Sequence, residues 1–375
     1  AAIELKIKAL ERVVLRNPLI IGVMLIKIEK NFITKLKNIN IYLQLLIKMA
    51  QMTLSQMNGW NIKGDECHDY VYNPDKQTAI FTDIDSSKAR ELSFVGEADG
   101  LRLWMHYTDS PLWKENMIVY GDSVHIPLYK SHVQKCTRRK MYANAIDGVL
   151  AMLYEDPSSI LRRIGIIAIE DVCLVKGYSV IVWLMMAIKY ISLTKQDVYN
   201  VINYIDNLCE IDTVFVNVPR SPVTRKMLLS IKHDNRDEVL ALWYRKRAGG
   251  MKGDMKMLEN AVSYYYREPN KIEDRIVWRR FKIESIALKI PIIKEAIDFH
   301  PFPQLICVLN RRTNILNKMI KEYIWKVDSA VNIRKPNTLT TSKTLSKHYI
   351  WKQLSPHLQQ ERRKILVRLG LFNLI

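Results

Sequence analysis

Two carboxylates one residue apart, Asp83 and Asp85 in Ile80-Phe81-Thr82-Asp83-Ile84-Asp85, follow an apolar run of strand type. Alternate residues of a strand share a face, so the pair is a candidate for a divalent metal of the kind phosphoryl transfer requires. No third acidic position stands nearby to complete such a site, and a solvated strand end is the plainer reading. A second set of residues could meet phosphate. These are Arg138, Arg139 and Lys140 in Gln134-Lys135-Cys136-Thr137-Arg138-Arg139-Lys140; Arg245, Lys246 and Arg247 after Trp243-Tyr244; and Arg279 and Arg280 between Trp278 and Phe281. Basic groups neutralise phosphates, and interleaved aromatic rings can stack on bases. Neighbouring helical residues point about 100° apart, so the basic members are expected to reach phosphate while the aromatic ones pack inward. Between two of these clusters lies Arg247-Ala248-Gly249-Gly250-Met251-Lys252-Gly253-Asp254. Its glycines permit a close backbone approach, and with Lys252 it could cradle an anion at a helix start. A tight helix–helix turn is the competing reading.

The composition sets limits on what those residues can be doing. Lys and Arg number 57 against 38 Asp and Glu, a formal charge of +19, which points to a polyanionic partner such as the phosphate backbone of DNA or RNA. Hydrophobic residues at 48% and charged residues at 25% are an ordinary globular mixture, which argues against wholesale disorder. Cys67, Cys136, Cys173, Cys209 and Cys307 stand far apart without a C-x-x-C pair. That spacing argues for reduced thiols in an intracellular setting (nucleus, cytoplasm or virion) and against a zinc site. The longest apolar runs, residues 19–26 and 180–188, fall short of the ~20 residues a membrane span needs. No cofactor motif is evident.

The elements that must position these residues are mainly α, with a small α+β insertion. Residues 1–55 are expected to form a basic helical arm, and 56–130 a small α+β region with strands at 78–82, 101–105 and 117–120. A helical region, 131–215, follows. Within it Asp156-Pro157 starts one helix, and further helices are expected at 178–191 and 195–209. A helical domain, 216–333, is expected to contain helices near 223–246, 254–267, 271–288, 291–298 and 303–333. Residues 334–375 read as a polar linker and a last amphipathic helix after Pro356, with Leu358, Ile365, Leu366 and Leu369 opposed by Arg362, Arg363, Lys364 and Arg368. Residues 1–55 and 334–375 are the segments expected to meet other protein subunits. The turn Ile297-Asp298-Phe299-His300-Pro301-Phe302-Pro303 reads as a rigid corner.

Residues 131–210 resemble the helical collar that follows the ATPase core in the RarA and Werner-helicase-interacting group of AAA+ proteins. The resemblance rests on Ser131–Lys140, Asp156-Pro157, Leu161-Arg162-Arg163 and Ala168-Ile169-Glu170-Asp171-Val172, and it implies oligomerisation near DNA. No G-x-x-x-x-G-K-[ST] loop is present, so ATP hydrolysis is not implied. The residues by themselves suggest that Arg162 or Arg163 pairs with Glu170 or Asp171 inside the fold. Asp83-Ile84-Asp85 with Ser123-Val124-His125 also loosely resembles the archaeo-eukaryotic primase pattern. The expected function is a non-catalytic nucleic-acid-binding subunit of a replication, repair or packaging assembly. A structural protein of a virion or ribonucleoprotein particle is the first alternative, and a metal-dependent nucleotidyl transferase using Asp83 and Asp85 the second.

Overall fold

The computed structural model describes residues 69–84, 88–115, 117–121, 124–279, 281, 283–297 and 303–370. The expected basic arm 1–55, Asp85, Ser123, Arg280 and most of the His300 corner lie outside the described residues. The fold class is mainly α with a small α+β part. Twelve α-helices occur among the described residues, together with a sheet of four short strands and a pair of three-residue strands.

The sheet comprises β1 (Asp69–Asn73), β2 (Thr78–Thr82), β3 (Leu92–Ala98) and β4 (Leu101–His106) in the order β2-β1-β4-β3. β1 is antiparallel to β2 and parallel to β4, and β3 is antiparallel to β4. The strands at 78–82 and near 101–105 match expectation, whereas β1 and β3 were unforeseen. β1 is almost wholly buried because both faces are covered. The Tyr70 hydroxyl donates to the Ser179 carbonyl, the Trp183 indole donates to the Tyr70 carbonyl at 2.9 Å, and the Tyr72 hydroxyl donates to Asp197 at 2.7 Å. The sheet therefore shares one hydrophobic core with the helices.

The helical body runs through α1 (Ile126–Arg138), α2 (Tyr142–Glu155), α3 (Pro157–Asp171), α4 (Tyr178–Ala187), α5 (Lys195–Glu210), α6 (Arg225–Leu229), α7 (Arg236–Arg247) and α8 (Lys252–Arg267). Local chemistry explains the starts. Asp156 accepts from the Ser159 amide at 3.0 Å with Pro157 at the first position, and Thr194 with Asp197 forms a capping box on α5. α4 is apolar all round and buried throughout, so it lies at the centre of the body. It begins after Gly177, whose φ of +86° favours glycine. In place of a local side-chain cap, Glu238 of α7 accepts from the Gly177 amide at 3.0 Å and the Ser179 amide at 2.7 Å. A carboxylate there meets the positive end of the helix dipole. Full burial nevertheless raises its pKa to about 7.

The helices expected at 271–288 and 291–298 do not form. The described residues between 272 and 293 instead cross the body as an extended strap, ending in a short turn at 294–296, in which β6 (Ser285–Ala287) pairs in parallel with β5 (Ile118–Tyr120). Ile286, Leu288, Ile290 and Ile292 are buried while the residues between them are exposed, which is the period of a strand and not of a helix. Side chains of the body anchor the strap's backbone. Asn207 accepts from the Val277 amide at 2.8 Å and donates to the Val277 carbonyl at 3.0 Å; Asn203 does the same for Arg279, at 2.8 and 3.1 Å. The Tyr129 hydroxyl donates to the Leu288 carbonyl.

The C-terminal segment holds α9 (Pro303–Thr313), α10 (Asn317–Tyr323), a π-helical turn at Ile324–Asp328, α11 (Thr338–Lys347) and α12 (Tyr349–Arg368). The single helix expected over 303–333 is thus broken, and α12 carries Pro356 in its interior instead of starting after it. The expected linker at Arg334 is also an anchor. Its guanidinium donates to the carbonyls of Thr137, of Arg138 at 3.1 Å, of Leu208 at 2.8 Å and of Ile211 at 3.2 Å. One side chain thereby serves the C-termini of α1 and α5, where carbonyls lack intrahelical partners.

Candidate nucleic-acid interface

An arginine inside a folded body must find acceptors, and the ends of helices supply them. Arg138 illustrates this. It is 4% exposed; its Nε donates to Asp171 at 2.5 Å and its Nη1 to the Ser329 carbonyl at 2.7 Å. The expectation that Arg138 faces phosphate is corrected: its carboxylate partner sits on α3, far away in sequence. Arg139, half-buried, donates to the Asp328 carbonyl at 2.7 Å. Together the two residues tie the turn at 328–329 to the body. Lys140 is exposed but pairs with Asp212. The pair expected between Arg162 or Arg163 and Glu170 or Asp171 does not form directly: Arg138 meets both carboxylates, Arg163 lies 3.8 Å from Asp254, and Gln134 accepts from Arg163 while donating to both carboxylates at 3.0 Å.

The second cluster behaves alike. Arg245 is buried, donating to the Arg162 carbonyl at 2.9 Å and to the Gly249 carbonyl at 3.0 Å. Arg162 donates to the carbonyls of Ala248 at 2.8 Å and Gly249 at 3.1 Å. The glycine loop turns α7 into α8, and its Ala248 and Gly249 carbonyls face the two guanidinium groups. At this end of the loop the geometry is that of a helix C-cap stabilised by two arginines. Lys246 pairs with Glu259 at 3.2 Å, and Arg247, exposed, stacks over Trp243 at 4.8 Å. Lys252 is exposed at the start of α8. Arg279 is engaged by Asp206 at 2.8 Å and by Glu210.

Asp83 is exposed, and among the described residues no group of three or more His, Cys, Asp or Glu could hold a metal ion. In the adjoining sheet, Asp69 is fully buried and occupied. It accepts from Arg102 at 2.6 Å, the Trp104 indole at 2.7 Å and the Ile84 amide at 3.0 Å. Cys136, Cys173 and Cys209 are buried free thiols; burial pushes the Cys173 and Cys209 pKa up to about 12, which makes them inert packing residues. No helix among the described residues is long and apolar enough to cross a membrane.

Surplus charge lies elsewhere. Residues 65–302 carry 33 Lys and Arg against 32 Asp and Glu, so the body is nearly neutral. Residues 1–64 carry ten against three, and 303–375 carry fourteen against three. Within the C-terminal segment every carboxylate is already paired. Glu322 meets Lys326 at 2.6 Å, Asp328 meets Arg362, and Glu361 meets Arg312 at 3.0 Å and Lys364 at 2.8 Å. Arg311, Lys318, Lys321, Lys343, Lys347, Lys352, Arg363 and Arg368 remain exposed, with no carboxylate in salt-bridge reach among the described residues. The reason is visible in α12. Ile350, Leu354, Leu358, Arg362 and Leu366 form a buried stripe at four-residue spacing, leaving the other basic positions outward. Arg362, expected on the polar face, is the stripe's one charged member. Aromatic rings accompany the lysines: Trp325 is 42% exposed with Lys321 over its ring at 4.5 Å, and Tyr349 is 63% exposed beside His348. The runs Arg311-Arg312 and Arg362-Arg363-Lys364 do not by themselves mark this concentration; the charge count by segment does.

Compared with known protein families, characterised proteins and solved structures, the chain matches none of them.

Proposed function

We propose that the protein is a non-catalytic nucleic-acid-binding subunit whose phosphate-binding surface is supplied by the C-terminal helices. The observation that carries the proposal is the imbalance of fourteen basic residues against three acidic ones in that segment, with all three acids neutralised internally. Lysines and arginines without carboxylate partners release counterions when phosphates replace their ion atmosphere, and the binding is therefore steeply salt-dependent. The neutral body acts as the scaffold that holds these helices through Arg138, Arg139 and Arg334.

The test is a titration of mixed-sequence DNA and RNA at several salt concentrations. Lys343→Gln, Lys347→Gln and Lys352→Gln together lower the slope of log affinity against log salt by about 3, since each phosphate contact contributes about 1. An affinity independent of salt, or a slope unchanged in the triple variant, rejects the proposal.

A further inference from the structure

A cavity of about 260 Å³ lies at the edge of the basic segment. It sits between the 294–296 turn of the strap, the π-helical turn and α12. A water occupies about 30 Å³ in the liquid, and small-molecule pockets run from about 300 Å³ upward. The volume therefore suits a single planar ring system rather than an ion.

The walls define the chemistry. Lys294 and Arg362 are matched by Glu295 and Asp328, so the cavity has no net charge to offer a charged ligand. Asp328 is 4% exposed; one of its oxygens is held by Arg362, while the other, also buried, meets no hydrogen-bond donor among the described residues. A buried acceptor of that kind is costly unless a donor arrives. Trp351, half-buried, contributes an aromatic wall, and Gln359 an amide. Outside, the same segment exposes its surplus cations and the rings of Trp325 and Tyr349. A neutral cavity with an aromatic wall and a waiting acceptor, set in a strongly positive surround, fits a ligand with a neutral planar donor group carried on a polyanionic chain.

The geometry points to an unpaired nucleobase as the occupant, so that the protein binds single-stranded nucleic acid with one base seated against Trp351 and donating to Asp328. This rests on the nucleic-acid reading above and narrows it to a strand whose bases are free. Duplex bases, stacked and paired, cannot enter.

The decisive comparison uses the full chain and three fluorescent probes of equal length: a mixed-sequence single strand, an abasic strand with the same phosphates, and a duplex. The single strand binds about tenfold more tightly than the abasic strand, in line with the stacking of a base on an aromatic wall. Trp351→Leu removes the wall and Ser355→Phe fills the cavity from α12. In each variant the preference for the base-bearing strand shrinks severalfold, while affinity for the abasic strand and its salt dependence stay at the wild-type level. Thermal unfolding at the wild-type temperature establishes that each variant is folded, and loss of fold in both leaves the wild-type comparison of the two strands to decide. A wild-type protein that binds both strands equally, or variants that keep the full preference, overturns this inference and leaves salt-dependent phosphate binding standing. Absence of binding to all three probes removes both proposals.

Discussion

The helical body and the C-terminal segment differ in the balance of inward and outward arginines, although Arg334 and Arg362 of the segment are anchored inside and Arg247 of the body is exposed. In the body, Arg138, Arg162 and Arg245 point inward and are consumed by carbonyls at helix ends and by carboxylates from distant helices. In the C-terminal segment, Arg363 and Arg368 stand outside the hydrophobic stripe of α12 and Arg311 is exposed on α9, with no carboxylate in salt-bridge reach among the described residues. The difference is one of supply. Where basic and acidic residues balance, the buried arginines find acceptors within the fold; where they do not, the surplus faces solvent. Adjacency of arginines along a chain is thus a poor guide to which of them face solvent.

This contrast can be broken most decisively at Arg138. Replacing it with alanine strands Asp171 in the interior, and breaking a buried pair costs about 3–5 kcal/mol. The expected result is a large fall in unfolding temperature with unchanged DNA affinity for the fraction that folds. Reduced affinity without reduced stability contradicts the division of labour.

Glu238 sharpens it through pH. Its pKa rises from the usual 4.5 to about 7 on folding, so the folded state holds the proton more tightly than the unfolded one. The contribution of this group to stability is therefore fully present below about pH 4.5, declines as pH climbs, and is lost, about 3 kcal/mol in all, once pH passes about 7. Glu238→Gln flattens that decline, as unfolding free energies across this range show. A wild-type profile already flat between these limits counts against the burial argument.

Asn207→Ala comes next. It removes both hydrogen bonds that hold Val277 and leaves backbone groups of the strap without partners, for a loss of about 1–3 kcal/mol. Hydrogen exchange at the Val277 amide rises ahead of the helix amides. If α5 and the strap open together, the strap is not a separately anchored element.

The smallest effect belongs to Lys140. Its partner Asp212 is almost fully exposed, and an ion pair in water contributes little. Lys140→Ala shifts stability by less than about 0.5 kcal/mol. A larger change in DNA affinity would return Lys140 to the phosphate-binding set.

Much of the fold was legible in residue order. Asp156-Pro157 and Thr194 with Asp197 fixed the starts of α3 and α5, because a cap acts on amides within one turn. β2 and β4 followed from short apolar runs. The strap was misjudged although Ser285-Ile286-Ala287-Leu288-Lys289-Ile290-Pro291-Ile292 alternates strictly; its isoleucines were weighed by hydrophobicity rather than by period. β1 could not be foreseen, since a strand of five residues buried by α4 and α5 carries no amphipathic signature of its own.

Residue order by itself determined that this chain is mainly helical, that its cysteines stand apart, and how its surplus charge is divided along its length, since periodicity, capping and charge are properties of neighbouring residues. Which arginines face water was decided only by the tertiary structure. A guanidinium is long enough to reach either solvent or a carbonyl on another helix, and the choice depends on acceptors that folding brings from far along the chain.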